Sequence, residues 1–501
     1  MIKNKKQKVA FMITMLIFSI FLFGCSSEYL IKKISKICSS YFIDITVNTE
    51  EHTASVNQKV IFKNNSGATL NSLKFNLYVK TYTQGATNKP VSSLNEQKAY
   101  PNGLSYGDIA FNFIKEEGKT TTYSLEEIDQ NILNVALLKP LKPGYSSIIE
   151  MSYNLTIPNI NHRFGYGNNT INLGNFYPSL CVIENNEFVV QPYSPNGDPF
   201  YSELANYVVN VTYPNSFTMA NTGAKTKTEE VAEDKLKTTA HAKSVRDFCF
   251  VLSSKFETLE QMVGNTKVLY YYYNDEKNET SLNTIIDALN TFNNLIGKYP
   301  YTTLSVVKTN FVHGGMEYPN LVYVSDALDN YEDYTNVIIH ELAHQWWYSV
   351  VGNNAYKNGW LDEGLTEYTT ALFYKLNPDY NIKLEEIMEN ALSAYNMFQQ
   401  VYSQIFGVVD TTLTRTLSDY RTEPEYVYMA YVKSMLLFYE LHKLLGDDRF
   451  YSSLKNYYNE HRFKNVTPND LIDSFEKHSH RKLKSWFNSW IDGKVIIKEL
   501  N

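Results

Sequence analysis

From Tyr41 to Phe256 apolar and polar residues alternate in short runs. "YFIDITVNTEEHTASVNQKVIFKNNSG" opens the pattern and breaks at Asn-Ser-Gly, and "NSLKFNLYVKTY", "SSIIEMSYNLTIP", "NYVVNVTYP" and "RDFCFVLSSKFE" repeat it. A period of two puts one face of a strand toward a core and the other toward water. Turn signals fall between the runs: "KPGY" at 142–145, "SPNGDP" at 194–199 and "NTGAKTKTEE" at 221–230. Many short strands separated this way predict a mostly antiparallel sandwich or saddle-like sheet.

The period then changes. "TSLNTIIDALNTFNNLIG" (280–297) carries apolar residues at i, i+3, i+4 and i+7, which predicts an amphipathic helix ended by Gly297. "TTLSVVKTNFV" (302–312) and "NLVYVSD" (320–326) return to strand character, and beyond Tyr334 nearly everything is helical. One long pattern, "EYVYMAYVKSMLLFYELHKLLG", stops at Gly446. "TPNDLIDSFEKHS" opens on Thr467 as N-cap with Pro468 at the first helical position. No internal repeat or low-complexity tract interrupts the chain. The expected class is multidomain, β followed by α+β: an N-terminal antiparallel β-saddle or sandwich over 41–256, then a mainly helical domain over 257–501. No further domain is expected after it.

Composition changes this picture little. With 501 residues there is material for about three domains. A net charge of −7 argues against a nucleic-acid partner, which calls for a basic face. The first 25 residues stand apart: the cationic "MIKNKKQK", the apolar run "VAFMITMLIFSIFLF", then "LFGC" ending at Cys25. The run is shorter than the roughly 20 residues of a spanning helix and suits a signal peptide. Leu22, Gly24 and Cys25 resemble the lipobox of bacterial lipoproteins. That resemblance implies a diacylglycerol on Cys25, cleavage before it, a tether over 25–40, and a chain anchored to the outer face of a bacterial cell membrane. The alternative is an uncleaved signal anchor. Loss of 1–24 removes four lysines and takes the net charge from −7 to −11. Cys38, Cys181 and Cys249 remain, with no CxxC spacing, so a thiolate zinc cluster is excluded. Cys181 and Cys249 are a possible pair, though buried free thiols are the simpler state.

The chemistry concentrates in "VIIHELAHQWWYSVVG" (337–352). Residues four apart on a helix share a face, so His340 and His344 can each offer a ring nitrogen to one ion. Glu341, one position on, can reach a water there without ligating. This is the mechanical content of H-E-x-x-H. In a chain with ten histidines and 53 acids such a motif can arise by chance, so independent features matter. "NGWLDEGLTEY" supplies one: Glu363, with 18 residues between it and His344, in a second helical stretch. Two imidazoles and a carboxylate leave one tetrahedral position open, the catalytic rather than the structural arrangement. Glu367, four residues on, is either a partner of a ligating ring or part of a solvated face.

H-E-x-x-H-x₁₈-E resembles the gluzincin metallopeptidases, and "HELAHQWW" and "WLDEGLTEY" resemble the aminopeptidase N family within them. "GGMEYP" (314–319) is similar to that family's G-x-M-E-N loop, "YVKSMLLF" (431–438) to its Y-x-K-G segment, and "SVRDFCFVLSSKFE" (244–257) to the end of its β domain. The resemblance covers about 41–492. It implies a thermolysin-like catalytic domain with one Zn²⁺ per chain on His340, His344 and Glu363. It further implies that Glu341 is the general base and that Tyr431 is the hydrogen-bond donor to the oxyanion. Glu317, with Gly314, Gly315 and Met316, would bind the free N-terminus of a peptide. Tyr426 and Tyr428 rival Tyr431 within the same helix, and Ser434 stands where the family has Gly. Tyr318 stands where it has Asn, and His313 reads as a pocket wall rather than a ligand. The leading reading is a lipid-anchored zinc aminopeptidase. A thermolysin-type endopeptidase with an open cleft is the alternative, and a noncatalytic surface-binding lipoprotein is less favoured.

Overall fold

The computed structural model describes residues 38–497; the signal, Cys25 and most of the tether lie outside the described residues. The largest sheet has eight strands. Edge to edge they are Ala224–Ala232, Lys235–Val245, Ala205–Pro214, Ser39–Asn48, Thr53–Lys63, Ser146–Thr156, Asp108–Glu116 and Lys119–Thr120. The alternation read from the sequence is the alternation of burial. Ile43, Ile45 and Val47 on one strand and Val56, Gln58, Val60 and Phe62 on the next are buried, with partly or fully exposed residues between them. Each such aliphatic side chain contributes about 1.5–3 kcal/mol on full burial. Leu73 and Phe75 of Leu70–Asn76, and Leu133 and Val135 of Ile132–Leu141, join the same core from a second, four-stranded sheet.

One pairing departs from the antiparallel expectation. Ser39–Asn48 runs parallel to Ala205–Pro214. A parallel neighbour requires a long crossover, and here the chain builds the second sheet and two strands of a third before it returns at Ala205. A smaller sheet orders Thr218–Asn221, Phe250–Ser253, Ile171–Leu173 and Phe164–Tyr166. It abuts the C-terminal half through buried polar contacts: Thr170 to Thr309 at 2.8 Å, and Asn172 to the carbonyl of Asn310 at 2.9 Å.

From Glu257 a five-stranded sheet begins, in the order Glu257–Val263, Thr266–Tyr272, Thr303–Thr309, Leu321–Ser325 and Gly315–Met316. Its last strand, only two residues long, is an antiparallel edge. Helices follow: α1 (Asn278–Leu295), α2 (Tyr331–Ala343), α3 (Ala355–Leu376), α4 (Leu384–Phe406), α5 (Glu423–Val427) and α6 (Ser434–Leu445), with a π-helical segment, Tyr428–Lys433, joining the last two. Asp447–His461, Pro468–Ser479 and Lys484–Ile491 complete them. Thr467 caps its helix as expected, accepting from the amide of Asp470. Cys181 and Cys249 are both buried free thiols.

Candidate metal centre

Helix α2 starts at Asn330, whose side chain accepts from the amide of Asp333 at 2.8 Å, and Glu332 and Asp333 suit the positive end of the helix. Its inner face buries Ile338, Ile339 and Leu342. That burial fixes the rotation of the helix and turns His340 and His344 toward α3. The backbone of α3 kinks at Asn358, and past the kink Glu363 faces the two rings.

The three donors converge. Nε2 of His344 lies 3.1 Å from Nε2 of His340 and 3.1 Å from Oε2 of Glu363, and the His340–Glu363 edge is 3.6 Å. Ligands at 2.0–2.1 Å on a tetrahedral zinc stand about 3.3–3.4 Å from one another, so this triangle has the size the ion requires. The far nitrogens fix the tautomers. Nδ1 of His344 lies 2.9 Å from the carbonyl of Trp347 and 3.1 Å from Oγ1 of Thr366, and Nδ1 of His340 lies 3.3 Å from Glu367. With a proton on each Nδ1, two lone pairs and a carboxylate oxygen face one another, an arrangement that calls for a cation among them. The residues fit a zinc ion. Glu367 is the partner of a ligating ring. Thr366, absent from the sequence reading, shares the duty; its only signal is its place three residues after Glu363.

Mutual proximity sets the charges. Burial disfavours the imidazolium at His344, but Glu363 outweighs it and raises the ring's pKa to about 9; Glu363 falls to about 2 beside the two rings despite its own burial. Glu341 is buried, and Oε2 has no protein partner. Burial lifts its carboxyl to about 8 while His340 pulls it down; a dication beside it pulls the same way as His340. A Cβ on Gly315 would lie 2.4 Å from Oε1 of Glu341, so the edge strand can pass this carboxylate only as glycine. At Gly314 a Cβ would meet Val337 at 3.3 Å.

Tyr431 reaches the centre from the π-helical segment. Its hydroxyl donates to Oε1 of Glu363 at 2.7 Å, and its ring stacks 6.0 Å from that of His340. The sequence predicts an unbroken α-helix here. The added backbone residue of the π turn instead rotates Tyr431 onto the centre. Tyr428 turns away and stacks on Phe398 at 4.3 Å, and Tyr426 packs its hydroxyl against Gly359. Ser434 is buried and its hydroxyl donates to the carbonyl of Met429 at 3.0 Å, opposite Gly364 on α3.

Glu317 is buried near the zinc-type triad and feels the charges of His344, Glu363 and Arg163. Met316 is buried as well, its sulfur turned to Arg163. Tyr318 leaves the site: its hydroxyl donates to Asn175 at 2.6 Å beneath the β half. His313 is a cleft wall, as expected, and lies 3.7 Å from Glu423. The cleft itself, about 270 Å³, runs past Arg163, Gly315, His340, Glu341 and Tyr431.

The comparisons agree with this centre. Residues 280–490 match the peptidase family M1 domain. Leucine aminopeptidase 2-1 of Meyerozyma guilliermondii is 27% identical over 36% of this chain and 29% of its own length. Leukotriene A-4 hydrolase of Xenopus laevis is 30% identical over 33% and 27%, and aminopeptidase N of Lactococcus lactis subsp. lactis is 28% identical over 31% and 18%. The chain thus spans less than a third of the length of each. The crystal structure of an M1 zinc metallopeptidase from Deinococcus radiodurans superposes with a TM-score of 0.67 at 16% identity, over 93% of this chain and 96% of that one. A mutant of that protein bound to a Tyr-Ser-Ala substrate gives 0.65, with the same identity and coverage. The segment 280–490, which contains the zinc-type triad, thus matches the peptidase family M1 domain, and the two-part fold of that metallopeptidase is shared across nearly the whole described chain.

Proposed function

We propose that the protein is a zinc-dependent aminopeptidase, hydrolysing the first peptide bond of peptides with a free N-terminus, held at the outer face of the cell membrane by lipid on Cys25. The observation that carries the catalytic part is the convergence of His340, His344 and Glu363 on one point, with an unpartnered oxygen of Glu341 and the phenol of Tyr431 beside it. Zinc on that triad supplies a Lewis acid that polarises the scissile carbonyl and acidifies water.

The chain's own residues do the rest. Glu341 takes the proton of the attacking water on its unpartnered oxygen and returns it to the departing amine. Tyr431 already points its hydroxyl into the centre, so a small rotation from Glu363 gives the oxyanion a donor. Glu363 in turn is held between the two rings, and Thr366 and Glu367 keep those rings oriented. Glu317 pairs with the α-ammonium group, so that only the first peptide bond reaches the water.

The membrane part rests on the cationic start, the apolar run and "LFGC". Among the described residues no helix is long and apolar enough to cross a membrane.

Hydrolysis of an aminoacyl reporter and of its N-acetylated twin, each with and without chelator, tests the reading. Chelator-sensitive turnover of the free amine alone is expected. Equal turnover of both reporters favours an endopeptidase, and turnover of neither favours a binding lipoprotein. Labelling with a fatty-acid analogue, lost in Cys25→Ala, tests the anchor.

A further inference from the structure

We infer that Arg163 is a positioning residue of the amine anchor: from the β half it grips Met316 and so aims the adjoining Glu317 at the substrate's ammonium group. The inference rests on the aminopeptidase reading above and adds to it a residue from the other half of the molecule.

The segment 314–320 has no regular structure beyond two paired residues, so its shape depends on what holds it. Three clamps do. Gln345, next to His344, accepts from the amide of Asn320 at 2.9 Å and donates to the carbonyl of Tyr318 at 3.2 Å. Tyr318 is tied to Asn175, and Asn175 donates to Asp247 at 2.7 Å. The third clamp is Arg163, whose Nε lies 3.1 Å from the sulfur of Met316. Of the three, it holds the side chain that precedes Glu317, as Asn175 holds the one that follows, and it alone is a charged residue that lines the cleft.

Arg163 is built to stay where it is. It pairs with Asp198, meets Nε2 of His162 at 3.0 Å and Tyr193 at 3.4 Å, and lies over the rings of Phe200 and Phe311 at 5.3 and 5.8 Å. A thioether is a weak acceptor, so the grip on Met316 comes from a guanidinium whose other donors are committed. Among the residues lining the cleft Arg163 is the sole lysine or arginine. Burial raises the pKa of Glu317, and the charge of Arg163 is among those that work against that rise.

The test is a double-mutant cycle between positions 163 and 317. Arg163→Gln strands the half-buried Asp198, so Arg163→Gln with Asp198→Asn, which removes both charges, and Arg163→Lys accompany it. In the neutralised pair we expect KM for a free-amine reporter to rise about 10-fold, with kcat nearly unchanged and the zinc content intact. In a Glu317→Ala background the same change should add nothing, because the residue acts through Glu317. Unchanged KM, or an equal loss in the Glu317→Ala background, overturns the inference while leaving the aminopeptidase reading intact. A Glu317→Ala variant that keeps full preference for the free amine overturns both.

Discussion

The hydroxyl of Tyr431 lies 2.7 Å from Oε1 of Glu363, the carboxylate whose other oxygen faces both ligating-type histidines. One side chain therefore joins the metal triad to the phenol, and the phenol rests on a spare acceptor until a better one forms. A buried oxyanion is that better acceptor, because its charge develops where water is excluded.

Tyr431→Phe tests this. Removing one preorganised donor to a developing oxyanion typically costs about 10²–10³-fold in kcat. We expect a loss of that size, with KM and zinc content near those of the parent. Loss of zinc together with activity would mean that the phenol serves mainly to hold Glu363.

Glu341→Gln separates base chemistry from metal binding. The amide keeps the shape beside Gly315 but cannot take a proton, and the triad is untouched. Turnover should fall by at least about 10²-fold, with zinc measured at one per chain. Conversely, chelation of the parent should abolish activity and lower the melting temperature, since the two lone pairs and the carboxylate then face one another without a cation. Zinc should restore both; full activity in metal-free protein would sink the zinc reading.

What the sequence made legible follows from period and spacing. Alternation identified the strands because one sheet face is buried, and four-residue spacing placed His340 and His344 on one face of α2. Glu363 was within reach because it lies on the adjacent helix. The side chain of Tyr318 was not legible, since its loop has no period and its hydroxyl is claimed by Asn175, 143 residues away. Arg163 was invisible for a similar reason: Met316 and Asp198 are its partners only in three dimensions. The π turn at Tyr428–Lys433 has no sequence signal of its own; its pattern predicts plain helix, and only the motif points to Tyr431 over its neighbours.

The lysine of the Tyr-x-Lys segment has a structural task with a pH signature. Lys433 is buried and donates to the carbonyls of Thr411 at 2.5 Å and Trp490 at 2.9 Å, tying the segment before α5 to the C-terminal helix. Burial, helped by Arg415, brings its pKa down to about 7, against about 10.4 in an unfolded chain. Between those values the unfolded state binds more protons, so this residue's contribution to stability rises with pH, is complete above about 10.4, and is lost as pH falls through 7. Lys433→Met should therefore lower stability, and the gap between parent and variant should widen from pH 7 to pH 9.5. Melting temperatures across that range check it, and a gap that is flat or narrows would contradict the assignment.

The helix that carries Glu363 is seated by a close contact at its neighbour Gly364. A Cβ on Gly364 would lie 2.4 Å from the Cβ of Ser434, so α3 and the start of α6 touch where one partner has no side chain. Gly364→Ala gains helix propensity of about 1 kcal/mol, yet it forces two methyl-sized groups into one space, which costs about 1–3 kcal/mol or more in a packed core. The clash should win and push α3 away from α6, carrying Glu363 out of the triad. We expect lower stability together with weaker zinc binding. Adding Ser434→Gly removes the facing Cβ, and it should restore much of both despite losing the hydroxyl's bond to Met429. Additive losses in the double variant, measured by denaturation and by zinc titration, would show that the two residues do not share this space.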